Sequence, residues 1–232
     1  MAPGPSPAER LAELQGVLFD LDGTLINTVS LILSSFRYAT ERVLGQALPD
    51  PVLMRNVGVP LIDQMREFDP ERADELLRVY REHNAAHHDE MVVEYPGTEE
   101  TLEWLRARRY PLAVVTSKGT PMTIRGLQRF GLERFFDVVV TADDVPEHKP
   151  DPHPVEHAAK LLDVDVTRSV YVGDSPHDMA AGIGAGAIST AALWGAFASE
   201  DVLEPGPDYA LRSMKDLPEM LSGGEARFRN GW

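Results

Sequence analysis

The sequence predicts an α/β fold: a doubly wound parallel sheet with a small all-helical unit inserted after the first strand. Three observations carry this. Short apolar runs end in polar residues, helical patterns alternate with such runs from about residue 96 onward, and the stretch 27–94 breaks the alternation with apolar residues at helical spacing.

The first element is Gly16-Val17-Leu18-Phe19-Asp20-Leu21, an apolar run ending in acids and Gly23, as expected of a strand buried on both faces. The residues before it, 1–10, have neither the basic start nor the apolar centre of a secretion signal and are expected to be a frayed arm. From 27 to 94 no strand is expected. Val29, Ile32, Leu33, Phe36, Val43 and Leu44 fall on one helix face, and Ala73, Leu76, Leu77 and Tyr80 on another. The chain re-enters the sheet near Tyr95-Pro96-Gly97, so the insert is placed as a lid whose two linkers are its hinges. Strands are then expected at Leu112 to Val115, Val138 to Val140, Val170 to Val172 and, more weakly, Ile188 to Leu193. Thr120-Pro121 opens a helix that Gly131 closes. The expected division is a core of 1–26 with 95–232 and a helical unit of 27–94, with 222–232 frayed at the end, although Phe228 and Trp232 there could dock.

Composition narrows the function. A chain of 232 residues, 43% hydrophobic and 25% charged, can bury a core of its own. Cysteine is absent, so disulfides, thiolate metal sites and a cysteine nucleophile are excluded, and a cytoplasmic location is expected. The net charge of −15 argues against nucleic acid, because phosphate backbones need clustered Lys and Arg. No apolar run reaches membrane-spanning length. The expected partner is a small molecule, and the expected assembly a monomer or small homo-oligomer.

The chemistry-bearing residues stand at the carboxyl ends of the expected strands, where open α/β sheets bind ligands. In Asp20-Leu21-Asp22-Gly23-Thr24 the two acids lie two apart in an extended stretch and so project from one side. Like charges this close need a divalent cation, or one carboxyl must keep its proton and serve as an acid. The competing reading is a plain Asp-Gly turn. Thr116 and Ser117 end the second expected core strand and can donate to a phosphate oxygen, or they form a helix cap. Lys118 is either solvated or a helper in phosphate binding. Lys149, in His148-Lys149-Pro150-Asp151-Pro152, is held by flanking prolines and can bind phosphate and a carboxylate together. Asp174, in Gly173-Asp174-Ser175-Pro176-His177-Asp178, is the natural third metal ligand, whereas Asp178 also completes a capping box and is read as metal-supporting.

Taken together, the acid-x-acid motif, Thr or Ser, Lys and paired acids in this chain order resemble the haloacid dehalogenase-like hydrolase superfamily, in its helical-cap subclass with phosphoglycolate phosphatases. Phe19 to Thr28, Phe135 to Thr141, Lys149 to Pro152 and His87-His88-Asp89 further resemble the bacterial pyrophosphatases associated with HPr kinase/phosphorylase. The resemblance implies an enzyme dependent on Mg2+. In it Asp20 attacks phosphorus, Asp22 acts as acid and base, and Gly23, Thr116, Ser117 and Lys149 hold the phosphoryl group. Asp20, the main-chain carbonyl of Asp22, and Asp174 hold the metal. It also implies a small phosphorylated substrate, pyrophosphate first and phosphoglycolate or another small phosphomonoester second.

Asn56-Val57-Gly58-Val59-Pro60 looks like that family's cap loop dipping into the cleft, or is an interhelix turn. His83, His87 and His88 continue the stripe of the second helix and read as partly buried residues rather than metal ligands. A dehalogenase has no need of Asp22, and a phosphonate hydrolase needs a cap lysine that 27–94 lacks. A sugar phosphomutase would keep the same motifs. A non-catalytic binding module would tolerate loss of a motif acid, and none is lost.

Overall fold

The computed structural model describes residues 4–55 and 57–224. Helix α1 (Pro7–Ala12) begins with a reciprocal cap: the Ser6 hydroxyl accepts from the Glu9 N–H, and the Glu9 carboxylate accepts from the Ser6 N–H. Pro7 stands where a helix has no use for an N–H. Arg10 then donates to the Gly186 carbonyl at 2.8 Å and Leu11 is buried. The frayed arm expected for 1–10 is thus corrected from Ser6 onward, because Ser-Pro-Ala-Glu is itself a helix-start signal. Residues 1–3 lie outside the described chain.

Strand β1 (Gly16–Phe19) leads into the two-residue strand β2 (Ile26–Asn27). There follow α2 (Val29–Leu44), α3 (Asp50–Met54), α4 (Leu61–Phe68) and α5 (Ala73–Met91), and then β3 (Val93–Glu94). β2 and β3 pair antiparallel, Ile26 opposite Glu94 and Asn27 opposite Val93, so the linkers of the helical insert are tied to each other. This corrects the expectation of no strand at the insert's ends, since two residues are too few to show an alternation. The insert has its own core: Phe36 meets Phe68 edge-on at 5.5 Å and Tyr80 at 4.7 Å, over Leu53, Met65 and Leu76. Ile32, Leu33, Leu44 and Leu77 pack on its margin as the helical stripes predict. Leu31, outside those stripes, is instead buried in the core of the main sheet.

The remaining elements are α6 (Thr98–Ala107), β4 (Leu112–Val115), α7 (Thr120–Arg129), β5 (Val138–Val140), α8 (His153–Leu161), β6 (Ser169–Gly173), α9 (Pro176–Gly184), β7 (Ile188–Ala192), α10 (Ser199–Leu203), β8 (Tyr209–Leu211) and α11 (Asp216–Leu221). The main sheet runs β5-β4-β1-β6-β7-β8, with every neighbouring pair parallel. Strand β8 had no counterpart in the sequence reading, being only a short run between Pro207-Asp208 and Arg212.

Along β1 the side chains alternate: Val17 and Phe19 enter one layer with Leu102, Leu105 and Leu127, and Leu18 enters the other with Val155, Ala158 and Ala181. Each fully buried Leu or Phe contributes about 1.5–3 kcal/mol, so β1, covered on both faces, anchors the fold. It lies between β4 and β6, where the strand order reverses, and that point opens a crevice beyond the carboxyl ends. Among the described residues no helix is long and apolar enough to cross a membrane.

Candidate active site

The crevice is built on the turn that ends β1. The Asp20 N–H donates to the Val172 carbonyl at 2.9 Å, which extends the ladder by one residue and points Asp20 out of the sheet. The Leu21 carbonyl then accepts from the N–H groups of Leu25 and Ile26, and the Gly23 N–H donates to the Ile26 carbonyl. Gly23 has φ +91°, a backbone conformation that favours glycine, and a Cβ there would stand 2.2 Å from the Asp174 carboxylate. The Asp-Gly turn is present, and it carries both Asp20 and Asp22. Leu21, between the two acids in sequence, is fully buried.

Lys149 reaches under this turn. Its ammonium donates to Asp20 Oδ1 at 2.7 Å, Asp178 Oδ1 at 2.6 Å and the Val115 carbonyl at 3.3 Å. Burial works against its charge, but Asp178 and Asp20 hold the ammonium well above the usual lysine range. Asp178 also accepts from the Tyr171 hydroxyl at 2.8 Å and, through Oδ2, from the Ser175 hydroxyl and N–H. Burial opposes its charge as well, yet Lys149 and these hydrogen bonds hold its carboxyl below the usual range. The capping box read in the sequence is present, and Asp178 serves it while bracing Lys149.

Asp174 has less support. Thr24 Oγ1 donates to it at 3.3 Å and the Ala196 N–H at 2.8 Å, and a Cβ at Gly195 would stand 2.2 Å from it. Burial, then the charges of Asp20 and Asp178, push its carboxyl well above the ordinary range. Burial likewise pushes Asp20 up to about 7. Ligand oxygens of Asp20, Asp174 and Asp178 all lie within 4.8 Å of one another. Three buried carboxylates against one ammonium leave an excess of negative charge, which suits a hard divalent cation with oxygen ligands.

Across the crevice, Thr116 Oγ1 accepts from the Lys118 N–H at 3.2 Å. Ser117 Oγ is buried with no hydrogen-bond partner among the described residues, which costs about 1–3 kcal/mol unless a ligand supplies one. The Lys118 ammonium donates to Asp22 Oδ1 at 2.7 Å, so Lys118 is not a solvated surface lysine. Of the sequence-predicted residues, Asp20, Lys149 and Asp178 are joined by hydrogen bonds, Gly23 stands against Asp174, Lys118 links Asp22 to Thr116, and the Ser117 hydroxyl is buried next to Thr116. Tyr171, Gly195 and Ala196 join them without having been singled out in the sequence.

One feature of the helical insert meets the site. Gly58, at φ +107°, packs close to His177 and Ser175 at the start of α9, and Gln64 Nε2 holds its loop by donating to the Val59 carbonyl at 2.9 Å. Asn56 of that loop lies outside the described residues. His83 stacks between Tyr38 and His87, His87 Nδ1 donates to the His83 carbonyl, and His88 is fully buried with Nδ1 against Asp89. His83 and His87 are partly buried as expected, whereas His88 is buried completely.

Comparisons with known proteins agree with this geometry. A family model described as haloacid dehalogenase-like hydrolase matches residues 17–192. A pyrophosphatase PpaX from Halalkalibacterium halodurans is 43% identical over 216 residues, covering 93% of this chain and 100% of that protein. A PpaX from Listeria monocytogenes serotype 4a is 38% identical over 206 residues, covering 87% and 93%. Among solved structures, that of a predicted phosphoglycolate phosphatase from Haemophilus somnus 129PT superposes with a TM-score of 0.80 at 25% identity, covering 90% of this chain and 98% of that one. That of a predicted phosphatase from Clostridium acetobutylicum gives 0.80 at 26%, with the same coverage.

Proposed function

The chain belongs to the haloacid dehalogenase-like hydrolases and is a phosphohydrolase; from that premise we propose that it hydrolyses inorganic pyrophosphate, with Mg2+, through a phosphorylated Asp20. The substrate reading is carried by its likeness, along nearly the whole chain, to the pyrophosphatases named above. The metal-holding role of Asp20 and Asp174 is supported by ligand oxygens of Asp20, Asp174 and Asp178 lying within 4.8 Å of one another.

In this reading an Asp20 carboxylate oxygen attacks phosphorus, and the bond to the bridging oxygen breaks with its electron pair left on the departing phosphate. Asp22 gives that oxygen a proton. Asp22 then takes a proton from water, the hydroxide joins phosphorus, and the acyl phosphate bond breaks to restore Asp20. Asp20, the main-chain carbonyl of Asp22 and Asp174 would hold Mg2+, which would supply charge neutralisation between nucleophile and phosphate. Lys149 keeps Asp20 in place from beneath, and its own position is kept by Asp178. In this reading phosphoryl oxygens are received by the hydroxyls of Thr116 and of Ser117, which has no partner among the described residues, whereas the Gly23 N–H is already given to the Ile26 carbonyl and shapes the turn.

Phosphoglycolate is the second reading, supported by the superposition on a predicted phosphoglycolate phosphatase. A panel of pyrophosphate, phosphoglycolate and sugar phosphates compared by kcat/KM tests the choice. Pyrophosphate is expected to lead, with activity lost in EDTA. Higher kcat/KM for another member of the panel would overturn the substrate.

A further inference from the structure

We propose that Lys118 binds the leaving group, so that the crevice selects phosphate compounds whose departing portion is itself anionic; the assignment rests on the phosphohydrolase mechanism above. An ammonium has three N–H donors. Those of Lys149 go to Asp20, Asp178 and the Val115 carbonyl, and its side chain is only 3% exposed. It braces the nucleophile on the floor of the site and has little left for a second phosphate.

Lys118 differs in both respects. Among the described residues its Nζ has one hydrogen-bond partner, Asp22 Oδ1, which leaves donors for a ligand. The pair is more open than the one on the floor, at 14% for Lys118 and 19% for Asp22, so it stands on the mouth side of Asp20. Its charge is also felt by the lid: burial, with help from Lys118 and Arg125, holds His88 of α5 below the usual imidazole range. Lys118 thus stands at the turn of β1, beside the acid that serves the departing oxygen.

This position decides which substrates benefit. When Asp20 attacks pyrophosphate, the bridging P–O bond breaks, its electron pair stays on the departing phosphate, and Asp22 supplies the proton. The negative charge that grows on that phosphate lies on the mouth side, where Lys118 can turn its unused N–H groups to it while keeping Asp22. Glycolate, leaving from phosphoglycolate, presents a carboxylate to the same ammonium. A p-nitrophenyl leaving group presents no such anionic arm and, being a good leaving group, needs little help.

The test compares wild type, Lys118→Met and Lys118→Arg on pyrophosphate, phosphoglycolate and p-nitrophenyl phosphate, with thermal denaturation to verify folding. Lys118→Gln serves in the same comparison if Lys118→Met does not fold. For the preferred anionic substrate, Lys118→Met is expected to lose about 100-fold in kcat/KM, the scale of one preorganised donor to developing charge. The loss on p-nitrophenyl phosphate is expected to be below about 5-fold, with Lys118→Arg recovering most of the difference. Equal losses on all substrates, a loss below about 5-fold on the anionic ones, or a wild type inactive on both anionic substrates would overturn the assignment. A wild type that ignores pyrophosphate but turns over phosphoglycolate sinks the pyrophosphatase reading alone, and Lys118 is then judged on phosphoglycolate.

Discussion

A methyl group at Gly195 would stand 2.2 Å from Asp174, and one at Gly23 equally close, so the third acid is held between two backbones that leave no room for a side chain. Gly195→Ala is accordingly expected to displace Asp174 and lower kcat by about 10- to 100-fold, the scale of a 1 Å misplacement at a reacting centre. Titration with Mg2+ should show weakened activation, and wild-type activation would argue against the tight fit. At Asp20 the expectation is sharper: Asp20→Asn keeps the fold by circular dichroism and releases no phosphate above background. Most of the site could be read from sequence because Asp20, Asp22, Thr116, Lys149 and Asp174 are polar residues at or beyond the ends of apolar runs. Tyr171 could not. It reads as strand core, and its hydroxyl finds Asp178 only when α9 packs against β6. Ala196 contributes a main-chain N–H, which has no signature in the side-chain sequence.

Between elements, one contact joins helix α5 of the insert to the core helix α7. Arg125 of α7 donates to both carboxylate oxygens of Asp89 and to the Ala85 carbonyl, and Gly126 lets Ile26 and His88 approach the helix. An exposed pair of this kind is worth about 0–1 kcal/mol to stability, and here it also ties the helical insert to the core. Arg125→Ala is expected to raise KM for pyrophosphate several-fold while Tm moves by no more than about 2 °C. An unchanged KM would show that the contact has no bearing on substrate binding. The tied linkers β2 and β3 and the edge strand β8 escaped the sequence reading because they are too short for a period to register. The long elements were legible: α2 and α5 declare themselves by apolar spacing, and β1, β4 and β6 by continuous burial.

For the whole molecule, the buried acids make stability depend on pH and metal together. Asp20 holds its proton to about pH 7 when folded, against 3.8 ordinarily, and Asp174 is raised as well. Between those limits the folded chain binds more protons than the unfolded one, so raising the pH through this window removes stability from the metal-free protein. Asp178 is shifted the other way, but its contribution changes only below 3.8. A cation that binds the ionised carboxylates reverses the loss, so Mg2+ should raise Tm more at pH 8 than at pH 5, and equal gains would contradict this. The central claim is covalent: phosphate passes through the first acid of β1's turn. Acid quenching of the protein during turnover of labelled pyrophosphate with Mg2+, followed by peptide mapping, tests it most directly. The expected result is an acyl phosphate on Asp20, released by hydroxylamine and absent from Asp20→Asn; label on another residue, or full turnover by that variant, would contradict it.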